Sequence, residues 1–169
     1  MIVRSLFARN FMKYEELSIA EFPRTGVIGI IGDNESGKTT ILEAITLALF
    51  GRTLKVEEQS YARLVYWKDS EMEVRLTFEI DEEVYRIWRR YDRGGGKEAL
   101  LYRIVDEREE LITQGLGPVN DRIEALFPIN FEVCRQSFYL GQKELSHLYE
   151  KRVPNSIEMV EKMTGLDQL

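Results

Sequence analysis

The sequence predicts an α/β fold in which a strand–loop–helix unit precedes an antiparallel β-subdomain. Three observations support this fold class. Residues 27–31 (VIGII) are continuously apolar and bounded by glycines. A glycine-rich segment then leads into an apolar stretch at residues 39–50. From residue 71 to 114, apolar and polar residues alternate with a period of two. The first pattern is typical of a strand covered on both faces, the second of a buried helix and the third of antiparallel strands.

Size and charge limit the functional classes. A chain of 169 residues is expected to form one hydrophobic core. Its net charge of −6 gives no overall positive field for a polyanion, so any contact with nucleic acid must be local. Cys134 and His147 are the single cysteine and the single histidine, which excludes a disulfide framework and a Cys/His zinc cluster. No apolar stretch approaches the roughly 20 residues of a membrane helix, so no membrane contact is expected. Arg4 and Arg9 interrupt any apolar signal-peptide core near the N-terminus, so we expect a cytoplasmic protein.

The first half of the chain predicts three elements. Residues 1–11 and 17–22 carry β-branched and aromatic side chains around residues 13–16, a pattern that indicates a hairpin. Residues 27–31 are predicted to be a buried strand. Residues 39–50 are predicted to be a buried helix that stops at Gly51.

The second half predicts three or four antiparallel strands followed by helices. The strand turns are expected at residues 81–82, 94–96 and 107–110. Residues 118–127 and 143–150 are predicted to be helical, and residues 131–140 fit a helix or a strand. Asn155 or Ser156 is expected to cap a final helix.

A phosphate-binding motif lies between the predicted buried strand and the predicted buried helix. Residues 32–39 (GDNESGKT) fit G-x-x-x-x-G-K-[ST]. The glycines let the backbone N–H groups turn toward a phosphate, and the helix N-terminus adds positive potential. Lys38 would reach the β- and γ-phosphates, and the Thr39 hydroxyl would bind Mg²⁺. The motif therefore predicts ATP or GTP with Mg²⁺ as cofactors.

Other catalytic parts are absent from the sequence. Nucleotide hydrolysis also needs an apolar strand ending in Asp and a residue that positions water. The nearest candidate, residues 100–107, contains Arg103, whose charge is costly in a buried parallel strand. These residues are better explained as part of the antiparallel sheet. We also expect Asp33 and Glu35 to point away from the phosphates, because their charges repel a triphosphate.

A basic cluster is the one local candidate for DNA contact. Six basic and two acidic residues occur between residues 84 and 103. The candidate contacts are Arg86, Arg89, Arg90, Arg93 and Lys97. A solvated strand face explains the same pattern equally well.

The motifs together resemble the SMC-like, ABC-class ATPases, and within them the SbcC type of DNA double-strand-break repair. The matching motifs are RNF at residues 9–11, GDNESGKTT at 32–40, LEAI at 42–45, YRI at 85–87 with Arg89 and Arg90, FYLGQ at 138–142 with Glu144 and Leu145, and MTGL at 163–166. Two positions depart from the pattern. Glu35 replaces a small residue, and Met12 stands where an arginine is frequent, with Lys13 one place later.

The resemblance implies a P-loop NTPase fold, specifically the N-terminal half of an ABC-type head. Residues 1–150 would form the N-terminal ATPase lobe, with its β-subdomain at residues 71–114 and a Q-loop near Gln142. Residues 151–169 would form a helical segment that enters a coiled coil. ATP would bind to Asn34, Glu35, Ser36, Gly37, Lys38, Thr39 and Thr40. Lys38 and Gln142 would be catalytic, and Thr39 and Gln142 would bind Mg²⁺.

The resemblance also implies partners. A C-terminal lobe of the same ATPase would complete the site, two heads would dimerise on ATP, and hydrolysis would reopen them. An SbcD-type nuclease and DNA would be further partners in a nucleoid-associated cytoplasmic assembly. RecF-like, RecN-like and other SMC-like ATPases share the same parts. A non-catalytic nucleotide switch and a small P-loop kinase are the functional alternatives.

Overall fold

The computed structural model describes residues 1–54 and 58–126, together with Phe131 and Cys134. The chain divides into two compact units, Met1–Pro128 and Ile129–Leu169. All the elements described below belong to the first unit. The predictions for Gln142, for the helix at residues 143–150 and for the segment at residues 151–169 lie outside the described residues.

Six antiparallel strands form one continuous sheet in the order β2-β1-β3-β4-β5-β6. The strands are β1 (Ile2–Phe11), β2 (Tyr14–Ile19), β3 (Glu71–Ile80), β4 (Glu83–Asp92), β5 (Lys97–Val105) and β6 (Arg108–Gln114). Every neighbouring pair is consecutive in the chain except β1 and β3. Residues 20–70 therefore connect β2 to β3, and within them Val65 forms an isolated bridge with Phe11 of β1.

Strands β3 to β6 confirm the antiparallel β-subdomain predicted from the period of two. The turn at Asp81 and Glu82 lies where the sequence predicts it, and both residues have positive φ. Such turns match the right-handed twist of the strands that they join. The last turn falls at Asp106 and Glu107, one residue earlier than the predicted start at residue 107.

The first hairpin is also confirmed, with an earlier turn. Strand β2 begins at Tyr14, so Met12 and Lys13 form the turn instead of residues 13–16. Met12 has a positive φ of 52°. This shift brings Lys13 and Tyr14 to the end of the hairpin, where they meet the phosphate-binding motif.

Two helices pack on one face of the sheet, together with the short 3₁₀ helix Glu58–Arg63. Helix α1 (Lys38–Phe50) contacts β1, β3 and β4, and α2 (Leu116–Leu126) contacts β5, β6 and α1. The sheet residues facing α1 include Leu6, Ala8, Val74, Leu76 and Ile87, which are all buried. This face is the hydrophobic core that the alternating pattern predicts.

Helix α1 confirms the predicted buried helix and its stop. It ends at Phe50, and Gly51 follows in the left-handed conformation, with its N–H bonded to the carbonyl oxygen of Leu47. Helix α2 begins two residues before the predicted residue 118. Within the described part of the chain, no helix is long and apolar enough to span a bilayer.

The predicted buried strand at residues 27–31 is wrong for this structure. These residues have no regular secondary structure, and they join no sheet within the described ranges. Val27 is 100% exposed and Ile31 is 97% exposed. A continuously apolar strand forms only where other strands flank it and helices cover it, and the described residues supply no such neighbours.

Candidate functional site

The phosphate-binding motif forms the turn that leads into α1. Gly37 precedes the helix with a φ of 97°, and Lys38 is the first helical residue. The N–H of Thr40 donates to the carbonyl oxygen of Gly37 at 2.8 Å. Among the residues that the structure describes, no side-chain hydrogen bond caps this end of the helix. The first N–H groups of α1 are therefore not used by a capping side chain, as an anion site at a helix N-terminus requires.

Lys38 closes the loop from its C-terminal end. Its Nζ donates to the carbonyl oxygen of Gly32 at 2.8 Å and to that of Asp33 at 2.6 Å. These two contacts join the end of the loop to its beginning. A phosphate oxygen is a stronger acceptor than a carbonyl oxygen. The ammonium group of Lys38 can therefore exchange its hydrogen bonds to these carbonyl oxygens for bonds to a bound phosphate.

Gly37 is the glycine of the motif whose conformation requires glycine. It has a positive φ, which side chains disfavour. A Cβ atom at Gly37 would also lie 2.8 Å from the Tyr14 hydroxyl oxygen. At Gly32 a Cβ atom would lie 2.9 Å from the Oγ of Ser36, a side-chain atom that can rotate away.

The turn of the first hairpin supports the loop, a contact that the sequence motifs do not reveal. Lys13 Nζ donates to the carbonyl oxygen of Glu35 at 2.7 Å. The Tyr14 hydroxyl donates to the carbonyl oxygen of Ser36 at 3.4 Å. Glu35 itself has a positive φ of 62°. That conformation favours glycine at this position, because every residue with a Cβ atom is strained there.

The predicted nucleotide-binding residues from Asn34 to Thr40 thus lie on one turn and the start of one helix. Thr39 is half-buried and Thr40 is buried. Among the residues that the structure describes, no three His, Cys, Asp or Glu side chains are grouped to hold a metal ion. One hydroxyl ligand completed by phosphate oxygens and water suits Mg²⁺, which keeps most of its hydration shell. Mg²⁺ binding by the Thr39 hydroxyl stays a prediction.

Arg89 corrects the predicted DNA-contact cluster. Its side chain is 0% exposed, because β4 directs it toward α1 together with Tyr85, Ile87 and Tyr91. Its Nε donates to the carbonyl oxygen of Ala48 at 2.7 Å. A phosphate backbone cannot reach a residue in this position. The alternating pattern of β4 indicates this burial, because Arg89 lies on the same face of the strand as Tyr85, Ile87 and Tyr91.

Arg89 is one of several groups that cap the C-terminal end of α1. Its Nη2 donates to the carbonyl oxygen of Leu49 at 3.1 Å and to Oδ1 of Asn120 at 2.7 Å. The Tyr61 hydroxyl donates to the carbonyl oxygen of Gly51 at 2.5 Å. Burial lowers the pKa of the Arg89 guanidinium, while Tyr91 and Tyr61 oppose that change. An arginine nevertheless keeps its charge in proteins, and a cation at this end of a helix is favourable.

The other candidate DNA contacts already have partners on the protein. Arg86 pairs with Glu109, and Arg90 pairs with Glu98 at 2.7 Å. The Arg93 guanidinium donates to the carbonyl oxygens of Val65, Tyr66 and Asp69. The ammonium group of Lys97 lies 4.6 Å from the centre of the Tyr61 ring. DNA contact at Arg86, Arg90, Arg93 and Lys97 stays a prediction.

A carboxylate on the opposite face of the sheet is held by three donors. Glu73 on β3 accepts hydrogen bonds from Trp88 Nε1 at 2.8 Å and from Arg75, and Arg9 lies 3.5 Å away. Burial raises the pKa of Glu73, but the bonds from Trp88 and Arg75 outweigh it, so the pKa lies below its ordinary value of 4.5. This face is consequently a network of paired charges.

Sequence comparison assigns the family. A family model described as AAA domain (AAA_23) matches residues 5–167. The chain belongs to this AAA domain family. The match includes the phosphate-binding motif and all the described elements from β2 to α2.

Curated relatives agree with the resemblance seen in the motifs. The chain is 33% identical over 147 residues to the DNA double-strand break repair Rad50 ATPase of Methanopyrus kandleri, covering 85% of this chain and 16% of that protein. It is 28% identical to the Rad50 ATPase of Methanocaldococcus jannaschii over 99% of this chain and 16% of that protein. It is 25% identical to the SbcC component of the SbcCD nuclease of Bacillus subtilis over 94% of this chain and 15% of that protein. The chain thus spans about a sixth of the length of these relatives.

Solved structures confirm the fold. One solved structure, from a study of the ATP-driven dimerisation and DNA-stimulated activation of SMC ATPases, is similar to this chain. The two superpose with a TM-score of 0.67 at 19% identity. The match covers 95% of this chain and 98% of that one. The recombination mediator protein RecF bound to ATP gives a TM-score of 0.56 at 25% identity, over 70% of this chain and 29% of that one. The predicted N-terminal half of an SMC-type P-loop head is therefore confirmed, while the coiled coil stays a prediction.

Proposed function

We propose that this chain is the ATP-binding N-terminal half of an SMC-like ATPase head of the SbcC type, which works in DNA double-strand-break repair. The observation that carries the proposal is the closed loop at the start of α1. There Lys38 bridges the carbonyl oxygens of Gly32 and Asp33, beside helix N–H groups that none of the described side chains caps. This arrangement suits a triphosphate tail with Mg²⁺ on Thr39.

The exposed segment at residues 27–31 supports a split active site. Val27 and Ile31 are almost fully exposed, although this apolar stretch precedes the phosphate loop directly. Exposed runs of this kind mark a surface that another part of the protein covers. We infer that the C-terminal lobe of the same ATPase supplies the flanking strands and the remaining catalytic residues. The N-terminal lobe alone should then hydrolyse ATP poorly.

The assembly that we propose has two such heads, which bind ATP between them and reopen on hydrolysis. The relatives that are SbcC components of SbcCD nucleases support an SbcD-type nuclease as a partner. DNA would contact Arg86, Arg90, Arg93 and Lys97, where the predicted cluster reaches the surface. Such a protein would act in the cytoplasm, in association with the nucleoid.

The decisive experiment measures MgATP binding by the full-length gene product and by its Lys38→Ala variant. Loss of the ammonium group should weaken binding by about a hundredfold or more, because a charged contact to phosphate is lost. Lys68→Ala is the matched control, since Lys68 is an exposed lysine outside the site. Equal affinity of the wild-type protein and Lys38→Ala would contradict the proposal.

Hydrolysis by the same proteins separates an ATPase from a nucleotide switch. The wild-type protein should hydrolyse ATP, and Lys38→Ala should not. Binding without hydrolysis above background would favour a switch. Phosphate transfer from ATP to a small acceptor by this chain alone would favour a kinase.

A RecF-like ATPase is the second candidate, favoured by the structural match to ATP-bound RecF. The two candidates differ in what lies beyond this chain. An SbcC-type protein would continue into a long heptad region before its second lobe. The full reading frame of the gene therefore decides between them.

A further inference from the structure

The far end of helix α1 holds a buried arginine that the binding site does not use directly. Arg89 lies on β4, near the middle of the six-stranded sheet, and donates to two main-chain oxygens in the last turn of α1. The phosphate loop lies at the opposite end of the same helix. With 13 residues at about 1.5 Å each, α1 is roughly 20 Å long.

Apolar packing gives α1 no directional constraint along its own axis. The fully buried residues of its inner side include Ala44, Leu47 and Ala48. Apolar contact is non-directional, so it fixes the axial position of a helix less sharply than hydrogen bonds do. Hydrogen bonds are directional and fix donor and acceptor within a few tenths of an ångström.

Arg89 supplies directional contacts of this kind from the sheet. Its guanidinium is a rigid planar fork, and its Nε and Nη2 donors reach the successive carbonyl oxygens of Ala48 and Leu49. Since β4 is hydrogen-bonded to β3 and β5 on both sides, the base of this side chain is held by the sheet. The last turn of α1 is therefore fixed relative to the sheet.

Asn120 holds the guanidinium in turn. Its Oδ1 accepts a hydrogen bond from Arg89 Nη2 at 2.7 Å. This bond orients the guanidinium plane and joins α2 to the C-terminal end of α1. The described hydrogen-bond partners of Arg89 are all neutral oxygens. A buried charge is costly to desolvate, and the carbonyl oxygens at the C-terminal end of α1 offset part of that cost. In return the charge supplies directional bonds that join the end of α1 to the sheet and to α2.

We propose that Arg89 is a positioning residue for nucleotide binding, which fixes α1 along its axis so that the phosphate loop presents its N–H groups correctly, and that Asn120 orients it. The inference rests on the proposed function of the loop. A helix is stiff, so a shift at its C-terminal end is carried to its N-terminal end. Misplacement of binding groups by about 1 Å is enough to cost a large factor in affinity or rate.

The test measures MgATP affinity of the full-length gene product by calorimetry, at a temperature where thermal unfolding shows each variant to be folded. Arg89→Lys keeps the charge but loses the fork, and should weaken binding about tenfold. Asn120→Ala should weaken it about threefold, and Asn120→Asp, which keeps the acceptor oxygen, should stay within about twofold of the wild type. In the Arg89→Lys background, Asn120→Ala should add little, because the two residues act as a unit.

Arg75→Lys is the matched control. Arg75 lies on the neighbouring strand β3, is half exposed and bonds Glu73 on the opposite face of the sheet. Its replacement should leave MgATP affinity within about twofold of the wild type. A purely structural role for Arg89 predicts lower unfolding temperatures but wild-type affinity in the folded variants.

The outcomes separate this inference from the proposed function. Wild-type protein that fails to bind MgATP would overturn both. Wild-type binding together with wild-type affinity in folded Arg89→Lys and Asn120→Ala would overturn the positioning role alone. If Arg89→Lys does not fold, Asn120→Ala and its rescue by Asn120→Asp still decide the question.

Discussion

Lys13 Nζ donates a hydrogen bond of 2.7 Å to the main-chain oxygen of Glu35, a residue that the structure holds at a positive φ of 62°. The first β-hairpin thus contacts the phosphate loop at its most strained residue. A side chain in the left-handed region costs about 1 kcal/mol or more, and glycine avoids this cost.

Replacing Glu35 by glycine should therefore stabilise the protein. After allowing for the greater freedom of glycine in the unfolded chain, we expect a gain of about 0.5 kcal/mol in the free energy of unfolding. The variant should also bind ATP more tightly, because it removes a negative charge from the loop. Urea unfolding and ATP titration measure the two effects. Asn34→Gly, at a neighbouring position without a positive φ, should instead lose stability.

Gly51→Ala should destabilise the protein by about 1–2 kcal/mol. Gly51 has a φ of 67°, and a Cβ atom there would lie 3.2 Å from Nη1 of the buried Arg89. Gly95→Ala separates these causes, since Gly95 has a positive φ but a Cβ atom there would meet no other atom within 4 Å. Urea unfolding should show a larger loss for Gly51→Ala. Equal losses would mean that the contact with Arg89 contributes nothing.

Acid should destabilise the protein partly through Glu73. Because the pKa of Glu73 lies below its ordinary value of 4.5 in the folded state, the folded protein favours the carboxylate. That stabilisation is complete above the unfolded pKa and is lost as the pH falls through the folded one. Unfolding free energies measured from pH 7 downward should fall less steeply below about pH 5 in Glu73→Gln than in the wild type. Parallel curves would show that the contacts of Glu73 with Trp88, Arg75 and Arg9 leave stability unchanged.

Polar substitutions at Val27 and Ile31 should change the stability of this lobe less than that of the full-length gene product. Both side chains are exposed in this lobe, so Val27→Ser with Ile31→Ser should change its stability by less than about 0.5 kcal/mol. In the full-length gene product the same pair should cost several times more, because the split-site proposal buries both residues under the second lobe. Thermal unfolding of both forms makes the comparison. Equal effects in the two forms would remove the support that this segment gives to a second lobe.

Local patterns predicted much of the sheet and of the binding loop. The period of two located β3 to β6, and the glycine spacing located the loop and the start of α1. The prediction of a strand at residues 27–31 was wrong because a buried strand depends on neighbouring strands and covering helices, which the described residues do not supply. Arg89 was assigned to a surface cluster from its charge, whereas its register with Tyr85 and Ile87 placed it in the core. The contacts of Lys13 and Tyr14 with the loop depend on tertiary structure, which sequence periodicity does not report.

The connectivity of the sheet has a consequence for how the molecule assembles. Four of the five strand pairings join consecutive strands, whereas the β1–β3 pairing encloses residues 20–70, which carry the whole phosphate loop and α1. Contacts between consecutive strands close short loops and form early, so the ribbon from β3 to β6 can fold before that long excursion is enclosed. Amide protons of the central strands should then exchange with solvent far more slowly than those of residues 20–37, so that the nucleotide loop opens more readily than the sheet that carries it.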